Sequence, residues 1–279
     1  MEKEYRFALL GHPVAHSSSA IIHGALGEIK NIKLTYELCD REPRQLDDFF
    51  NEALEKYDGF NVTVPYKQDI MDYVAEIDAD ALRIGAVNTC LRTQNGFAGF
   101  NTDVYGVSES LKEAEVNIQG KECVVLGAGG AARSVVSYLI SNNASKIYIV
   151  NRSRERALAL VEDFEVYGEF QKTVPQMADL STLSSADKAY YVFNATSLGL
   201  KKDDASPVSK EFIPQIAFAM DLIPIKEDTA FLRDFKASNV KCQSGMKMLM
   251  HQAIRAFELW TQTVVTESEK ERLWKMINA

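Results

Sequence analysis

Hydrophobic positions in the first hundred residues alternate between two spacings, one typical of strands and one typical of helices. Alternation of apolar and polar residues predicts a strand at 34–38, and the segments 6–10 and 60–63 are also strand-like. Apolar residues spaced three or four positions apart predict helices at 19–26 and 46–54. Strands that alternate with helices indicate an α/β fold with a mostly parallel sheet.

A further helical pattern covers 66–73, and a hairpin signal follows it. Residues 88–92 and 97–100 are strand-like and flank Gln94-Asn95-Gly96, a sequence typical of a tight turn. We therefore expect these two segments to pair as a hairpin.

A second series of strands and helices runs from about residue 105 to residue 243. Its predicted strands cover 121–126, 146–150, 190–194 and 218–222. A helical tail begins at Gly245, and no linker rich in glycine or proline separates the two series. We therefore expect two α/β domains, 1–104 together with 245–279 and 105–244, with a cleft between them.

The glycine-rich sequence 127–132 stands between a predicted strand and a helical pattern at 133–140. Strand, G-x-G-x-x-A turn and helix in this order form the Rossmann dinucleotide-binding pattern. Gly127 permits the tight turn, Gly129 lets the backbone approach a pyrophosphate, and Ala132 lets the helix pack on the strand. Exposed N–H groups at the start of the helix point at phosphate. The predicted cofactor-binding residues of the turn are Gly127, Ala128, Gly129, Gly130 and Ala131.

The end of the next strand indicates which dinucleotide binds. An NAD site usually places an acid about 20 residues beyond the glycine turn, where it holds the ribose 2′-hydroxyl. Here Asn151 and Arg152 stand at that point, and Arg156 follows one helical turn later. Because arginine pairs with phosphate and an acid would repel it, we favour NADP(H) as the cofactor. The alternative is a solvated, arginine-rich helix start.

The composition of the chain excludes several classes of function. A formal net charge of −8 and a pI of about 5.2 argue against nucleic acid as the partner. No apolar run reaches transmembrane length, so no membrane partner is expected, and the acidic start at Met1 and Glu2 is unlike a signal peptide. The four cysteines are scattered and fit a reducing cytoplasm. The histidines do not cluster with them, so no metal site is expected.

Four polar segments of the first domain have the character of a site for a polyhydroxylated ligand. They are 11–19, 61–67, 85–89 and 99–103. The first combines hydroxyl groups with a helix N-terminus, which suits a carboxylate. Lys67 and Asp103 are candidates for the proton transfer that a carbinol–ketone redox step needs. Taken singly, these residues are more often a solvated lysine and a helix cap, so the combination carries the argument.

In their order along the chain, these segments resemble the shikimate dehydrogenase family. The family pattern runs G-x-P-x-x-H-S-x-S, N-V-T-x-P-x-K, G-A-V-N-T, N-T-D, G-A-G-G-A, N-R-T, N-A-T-S-x-G and G-x-x-M-L-x-x-Q. The corresponding segments begin here at Gly11, Asn61, Gly85, Asn101, Gly127, Asn151, Asn194 and Gly245. Eight motifs in one order over nearly the whole chain are far more specific than any single motif.

The resemblance implies an NADP-dependent oxidoreductase that reversibly reduces 3-dehydroshikimate to shikimate, a step toward chorismate and the aromatic amino acids. Lys67 would then shuttle the proton of the reacting hydroxyl, and Asp103 would orient that hydroxyl. Ser17 and Ser19 would hold the substrate carboxylate. The residues implied to hydrogen-bond the ring hydroxyls are Thr63, Asn88 and Gln252.

The resemblance also assigns the remaining cofactor contacts. The residues implied for the adenosine 2′-phosphate are Asn151, Arg152, Ser153 and Arg156. Thr196 and Ser197 are implied cofactor contacts, whereas Leu222 and Gly245 would lie beside the nicotinamide. The partner implied is a small-molecule substrate, and the chain would be a monomer or a homodimer.

Ser153 replaces the family's threonine and keeps the hydroxyl. Four further positions depart from the family pattern: Ala20, Gly24, Pro224 and Ser244. Pro224 stands where the family has a tyrosine that contacts substrate, and proline cannot donate that hydrogen bond. This leaves open a related enzyme acting on quinate. A third alternative is a non-catalytic NADP-binding sensor, which the presence of both Lys67 and Asp103 disfavours.

Overall fold

A computed structural model of the protein describes residues 3–165, 173–183 and 189–278. Met1 and Glu2 of the acidic start lie outside these ranges. The chain forms two compact units. One contains the residues up to Tyr105 together with those from Met250 onward, and the other is Gly106–Leu249.

Helices account for many of the described residues in both units. They are α1 Ser19–Lys30, α2 Leu46–Lys56, α3 Ala79–Ile84, α4 Asp103–Glu113, α5 Gly130–Ser141, α6 Arg154–Glu165, α7 Ala230–Ala237, α8 Gly245–Thr261 and α9 Glu267–Ile277. Helices α4 and α8 each contain one boundary between the units, so the chain passes from one unit to the other within a helix. Over the ranges described, none of the helices has the length and apolar character needed to cross a membrane.

A six-stranded sheet forms the centre of the first unit. Its strands are β1 Tyr5–Gly11, β2 Leu34–Asp40, β3 Gly59–Val62, β4 Glu76–Ile77, β5 Thr89–Thr93 and β6 Gly96–Phe100, in the order β2-β1-β3-β5-β6-β4. Among the described strands, three of the five pairings are parallel, and both antiparallel pairings involve β5. The predicted hairpin around Gln94-Asn95-Gly96 is confirmed, and it makes β5 and β6 antiparallel neighbours.

The predicted helix at 66–73 is wrong. The segment instead forms turns and one short 3₁₀ helix at Asp69–Asp72. Tyr66 and Ile70 are both buried, which explains the helix-like spacing of apolar residues. However, the carbonyl of Lys67 accepts a hydrogen bond from the Val87 N–H at 2.7 Å. Tertiary bonding of this carbonyl to a distant segment therefore replaces the helical ladder.

The second unit contains a sheet whose strand pairings are all parallel within the described part of the chain. Its strands are β7 Glu122–Leu126, β8 Lys146–Val150, β9 Pro175–Met177, β10 Tyr190–Asn194, β11 Ile216–Asp221 and β12 Lys241–Gln243. The order β12-β11-β10-β7-β8-β9 reverses direction between β7 and β10. In open α/β sheets, ligands bind outside the carboxyl ends of the strands at such a reversal.

Strand β7 shows why its sequence is continuously hydrophobic. Cys123 and Val125 belong to the apolar core on one face of the sheet, whereas Val124 and Leu126 belong to the core on the other face. All four side chains are at most 2% exposed. Because both faces are covered, alternation of apolar and polar residues is absent, as expected for a central parallel strand.

Candidate active site

Lys67 and Asp103 form a shielded ion pair in the first unit. The Lys67 Nζ lies 2.5 Å from Asp103 Oδ2, and the two side chains are 13% and 6% exposed. The bond between the Lys67 carbonyl and Val87 fixes the lysine backbone. Asp103 begins α4, and its own N–H donates to Asn101 Oδ1 at 3.0 Å. The structure therefore brings together the two residues that the sequence predicted as catalytic.

The second carboxylate oxygen of Asp103 is held by Asn88. Asn88 Nδ2 donates to Asp103 Oδ1 at 2.8 Å, and Asn88 Oδ1 accepts the Thr102 N–H at 2.7 Å. Since a backbone N–H can only donate, this contact fixes which end of the Asn88 amide faces Asp103. Asn88, Thr102 and Asp103 are all at least 95% buried. A buried network of this kind is rigid when its members are satisfied.

Gln252, on α8, adjoins the same network. Its Oε1 lies 3.4 Å from both Asn88 Nδ2 and Thr102 Oγ1, at the outer limit of hydrogen bonding. The network therefore joins residues that are far apart in sequence, and two of them, Asn88 and Gln252, were predicted as substrate ligands.

Thr63 is half-buried at the end of β3, where its N–H donates to the Leu10 carbonyl at 2.8 Å. Its neighbour in space is Gly11, at which a Cβ would lie only 2.3 Å from the Thr63 methyl. The first glycine of the N-terminal motif thus makes room for Thr63.

Ser17 and Ser19 form a separate hydroxyl pair at the start of α1. Ser17 Oγ donates to Ser19 Oγ at 3.0 Å and accepts the Ser19 N–H at 3.2 Å. Ser19 is buried, whereas Ser17 is only partly covered. Two hydroxyls beside the first N–H groups of a helix provide the donors that a carboxylate needs.

The glycine turn of the second unit has the predicted strand–turn–helix form. Gly127 has φ +107°, a left-handed conformation, and a Cβ there would lie 2.8 Å from the Ala195 carbonyl oxygen. Gly129 is the N-cap of α5, and a Cβ on it would meet no atom within 4 Å. Ala132, in the first turn of α5, is fully buried. Gly129 therefore leaves open space in front of the first N–H groups of α5, where Ala128, Gly130 and Ala131 also lie.

The segment after β8 presents cationic side chains. Asn151 Nδ2 donates to the Ser153 carbonyl at 2.8 Å, and Ser153 Oγ accepts the Arg156 N–H at 3.3 Å and so caps α6. Arg152 and Arg156 are exposed. In the described part of the chain, neither guanidinium forms an ion pair with a carboxylate, so both are available to an anion.

A buried carboxylate organises the loop after β10. Asp221 accepts hydrogen bonds from Asn194 Nδ2 at 3.0 Å and from Thr229 Oγ1 at 2.5 Å. Asn194 Oδ1 in turn accepts from the N–H and hydroxyl of Thr196. Burial raises the pKa of Asp221. This network shapes the predicted cofactor loop, in which Ser197 is exposed.

Leu222 follows Asp221 and donates its N–H to the Asn194 carbonyl at 2.9 Å. Gly245 packs against the same backbone, because its Cβ would lie 2.6 Å from the carbonyl oxygens of both Leu222 and Ile223. The two predicted nicotinamide neighbours are thus adjacent within the second unit. Pro224 lies two residues further and is half-buried.

Sequence reasoning gave no role to several residues that complete these networks. Asn61, Thr89 and Thr102 lie inside the recognised motifs, and those motifs could have indicated that these residues belong to the site. Tyr36, whose phenol donates to Asn61 Oδ1 at 2.7 Å, had no comparable signal, because a hydrogen bond to a distant strand leaves no local pattern. In the described ranges, no three His, Cys, Asp or Glu side chains are grouped as metal ligands.

Comparisons with known proteins identify the family of the chain. The model of the shikimate dehydrogenase substrate-binding domain matches residues 9–90, and the model of shikimate / quinate 5-dehydrogenase matches residues 109–237. Shikimate dehydrogenase (NADP(+)) of Thermus thermophilus is 38% identical over 256 residues, 92% of each chain.

Solved structures give the same result over the whole fold. Shikimate dehydrogenase 1 of Peptoclostridium difficile superposes with a TM-score of 0.88 at 32% identity, covering 98% of each chain. The Thermus thermophilus enzyme in complex with NADP(H) and shikimate superposes with a TM-score of 0.85 at 36% identity, covering 98% of this chain and 99% of that one. Matched by both family models and by relatives over nearly its full length, the chain belongs to the shikimate dehydrogenase family.

Proposed function

We propose that the protein catalyses the reversible, NADPH-dependent reduction of 3-dehydroshikimate to shikimate, with Lys67 and Asp103 at the reacting hydroxyl. The observation that carries the proposal is the shielded ion pair between these residues, with Lys67 Nζ 2.5 Å from Asp103 Oδ2. A carbonyl-to-carbinol step needs one proton donor and one orienting acceptor at the same oxygen. The pair supplies both.

In the direction of reduction, the Lys67 ammonium donates a proton to the carbonyl oxygen of the substrate as that oxygen gains negative charge. In the reverse direction, the neutral amine accepts the proton of the substrate hydroxyl. Asp103 accepts a hydrogen bond from Lys67 and orients the reacting hydroxyl by accepting its hydrogen bond. Asn88 holds the other carboxylate oxygen at 2.8 Å, so the carboxylate cannot rotate away.

The substrate is held by hydroxyl and amide groups of the first unit. In this proposal, Ser17 and Ser19 bind the carboxylate at the start of α1, since hydroxyls and helix N–H groups favour an anion there. Thr63, Asn88 and Gln252 bind the ring hydroxyls. A site built to pair hydroxyl groups rejects analogues that lack them or add unpaired ones.

The second unit fits NADP(H). Open space in front of Gly129 and the first N–H groups of α5 suit a pyrophosphate held by Gly127, Ala128, Gly129, Gly130 and Ala131. The cations and hydroxyls after β8 suit the 2′-phosphate, held by Asn151, Arg152, Ser153 and Arg156. Thr196 and Ser197 are further cofactor contacts in this proposal, and Leu222 and Gly245 lie beside the nicotinamide. When bound, the cofactor supplies or removes the hydride of the reaction.

The domain assignment follows from these roles. Residues 1–104 with 245–279 would form the substrate domain, and residues 105–244 would form the NADP domain. We further propose a cytoplasmic enzyme that acts as a monomer or a homodimer.

A second candidate substrate is quinate, and Pro224 favours it. Proline at this position cannot supply the hydrogen bond of the family's tyrosine, and the matched family model covers shikimate and quinate enzymes alike. Quinate carries an extra hydroxyl on the carbon that bears the carboxylate. The two substrates are therefore separable by assay.

Initial rates of nicotinamide reduction test the proposal, with shikimate and quinate each offered with NADP and with NAD. Fast turnover with shikimate and NADP is the expected result. Turnover with quinate in preference to shikimate would assign the second candidate. Turnover with neither substrate, while NADP binds, would favour the non-catalytic sensor.

A further inference from the structure

Tyr36, on β2, is half-buried and contacts two buried side chains that the proposed mechanism does not use. Its phenol donates to Asn61 Oδ1 at 2.7 Å. Its ring stacks on the imidazole of His23, with centroids 4.5 Å apart and planes inclined by 9°. His23 is fully buried, and burial lowers its pKa to about 3, so the stacked imidazole is neutral. This arrangement fixes the position of the phenol from two sides.

Asn61, on β3, connects Tyr36 to residues at the start of the neighbouring strand β5. Its Nδ2 donates to the Asn88 carbonyl at 3.2 Å and to Thr89 Oγ1 at 3.0 Å. A backbone carbonyl can only accept, so the Asn61 NH₂ group must face Asn88, and Asn61 Oδ1 must face Tyr36. The phenol is therefore the donor in its bond to Asn61.

The same direction of donation continues to the catalytic pair. Thr89 Oγ1 donates to Asn88 Oδ1 at 3.0 Å, and Asn88 Nδ2 donates to Asp103 Oδ1 at 2.8 Å. Each donor in the series points toward Asp103, and hydrogen bonds aligned in this way polarise and strengthen one another. Tyr36 is the first donor of the series, and Asp103 is its final acceptor.

We propose that Tyr36 is a positioning residue of the substrate site, which holds Asn61 and, through Asn61, the Asn88 amide that orients Asp103. The inference rests on the proposed function, because the orientation of Asp103 matters only if Asp103 acts on the substrate. Burial raises the pKa of the Tyr36 phenol, and the Ser19 side chain partly opposes that rise.

Replacement of the phenol oxygen alone tests this role. Tyr36→Phe keeps the ring on His23 but removes the donor to Asn61 Oδ1. Tyr73→Phe is the matched control, since it removes the same atom from a tyrosine of the same unit whose hydroxyl bonds to Asp47. Thermal unfolding of both variants shows whether they fold.

Two readouts are expected to move in Tyr36→Phe and not in Tyr73→Phe. The first is the side-chain NH₂ resonances of Asn88 in ligand-free protein labelled with ¹⁵N-asparagine. The second is kcat with shikimate, which should fall about tenfold while KM for NADP stays within about twofold, as expected for a misplaced catalytic group. In an Asn61→Ala background, Tyr36→Phe should cause no further loss of kcat, because the two residues act in series.

An unchanged Asn88 amide, or an unchanged kcat, in a folded Tyr36→Phe variant would overturn the inference. The inference would also be overturned if Tyr36→Phe lowered kcat by the same factor in the Asn61→Ala background as in the native protein. If the unmodified protein turns over neither shikimate nor quinate, the proposed function fails, but the Asn88 resonances still decide whether Tyr36 positions this amide.

Discussion

Gly245 lies against the backbone of Leu222 so closely that no side chain fits between them. A Cβ on Gly245 would lie 2.6 Å from the Leu222 carbonyl oxygen and 2.6 Å from that of Ile223. The resemblance explains this glycine by the need to keep the hydride path open. The structure adds a second cause, which is close packing of α8 on the end of β11.

Gly245→Ala should therefore damage both stability and cofactor use. The methyl group forces the backbone at Leu222 to shift, which costs about 1–3 kcal/mol for an overpacked site, and we expect a lower Tm and a higher KM for NADP. Gly24→Ala is the control, because a Cβ there meets nothing within 4 Å in the middle of α1. That variant should keep its activity and gain up to about 1 kcal/mol. Equal behaviour of the two variants would contradict the packing argument.

Gly129→Ala separates cofactor binding from folding. Gly129 has φ −92°, which any residue adopts, and its Cβ would meet no protein atom within 4 Å. We expect an unchanged Tm without ligand but a dissociation constant for NADP raised at least about tenfold, because the methyl group occupies the pyrophosphate's approach to the backbone. Calorimetric titration measures it. Undiminished NADP affinity would place the pyrophosphate elsewhere.

Whether the sequence predicts a part of this site depends on how far apart in the sequence the interacting residues are. Lys67, Asn88 and Asp103 stand in short motifs whose order predicted one site, and the structure joins all three. The glycine turn was predictable because strand, turn and helix are consecutive, so local geometry alone specifies it. The hairpin around Asn95 was predictable for the same reason.

Long-range bonding explains what the sequence did not predict. The segment 66–73 has helical spacing, but the Val87 N–H binds the Lys67 carbonyl and prevents a helix. Likewise, Tyr36 on β2 meets Asn61 on β3 only after β1 has been placed between their strands. No pattern within one segment encodes such a contact, so propensity and periodicity cannot reveal it.

Arg152→Ala should weaken NADP binding far more than NAD binding. The guanidinium is exposed and, within the described residues, pairs with no carboxylate, so its loss leaves the fold intact while the 2′-phosphate loses a charge-assisted bond. Such a bond is worth about 1.5–3 kcal/mol, which corresponds to roughly 10- to 100-fold in affinity. Titration of both dinucleotides measures the ratio. Arg272→Ala, an exposed arginine of α9, is the control; equal losses for NADP and NAD would remove Arg152 from the 2′-phosphate site.

Lys67→Ala should abolish most turnover while KM for shikimate changes little. The hydroxyl ligands of the substrate remain, but the proton transfer at the reacting oxygen is lost, which costs about 10²- to 10⁴-fold in kcat. Steady-state rates in both directions measure this effect. Lys56→Ala removes an ion-paired lysine of the same unit and should leave kcat unaltered. A normal rate in Lys67→Ala would exclude the lysine from the chemistry.

His23 should make the protein sensitive to acid because its imidazole is buried. Burial lowers the pKa of His23 from 6.5 to about 3, so between these values the unfolded chain binds a proton that the folded chain does not. The free energy of unfolding therefore falls as the pH drops from about 6.5 toward about 3, by up to about 1.4 kcal/mol per pH unit. His23→Phe keeps a stacked ring and should remove this contribution, whereas His16→Gln, at an exposed histidine, should leave it in place. Denaturant unfolding between pH 4 and 7 measures how the free energy of unfolding depends on pH in each protein. The same pH dependence in the native protein and in His23→Phe would show that burial does not keep the imidazole neutral.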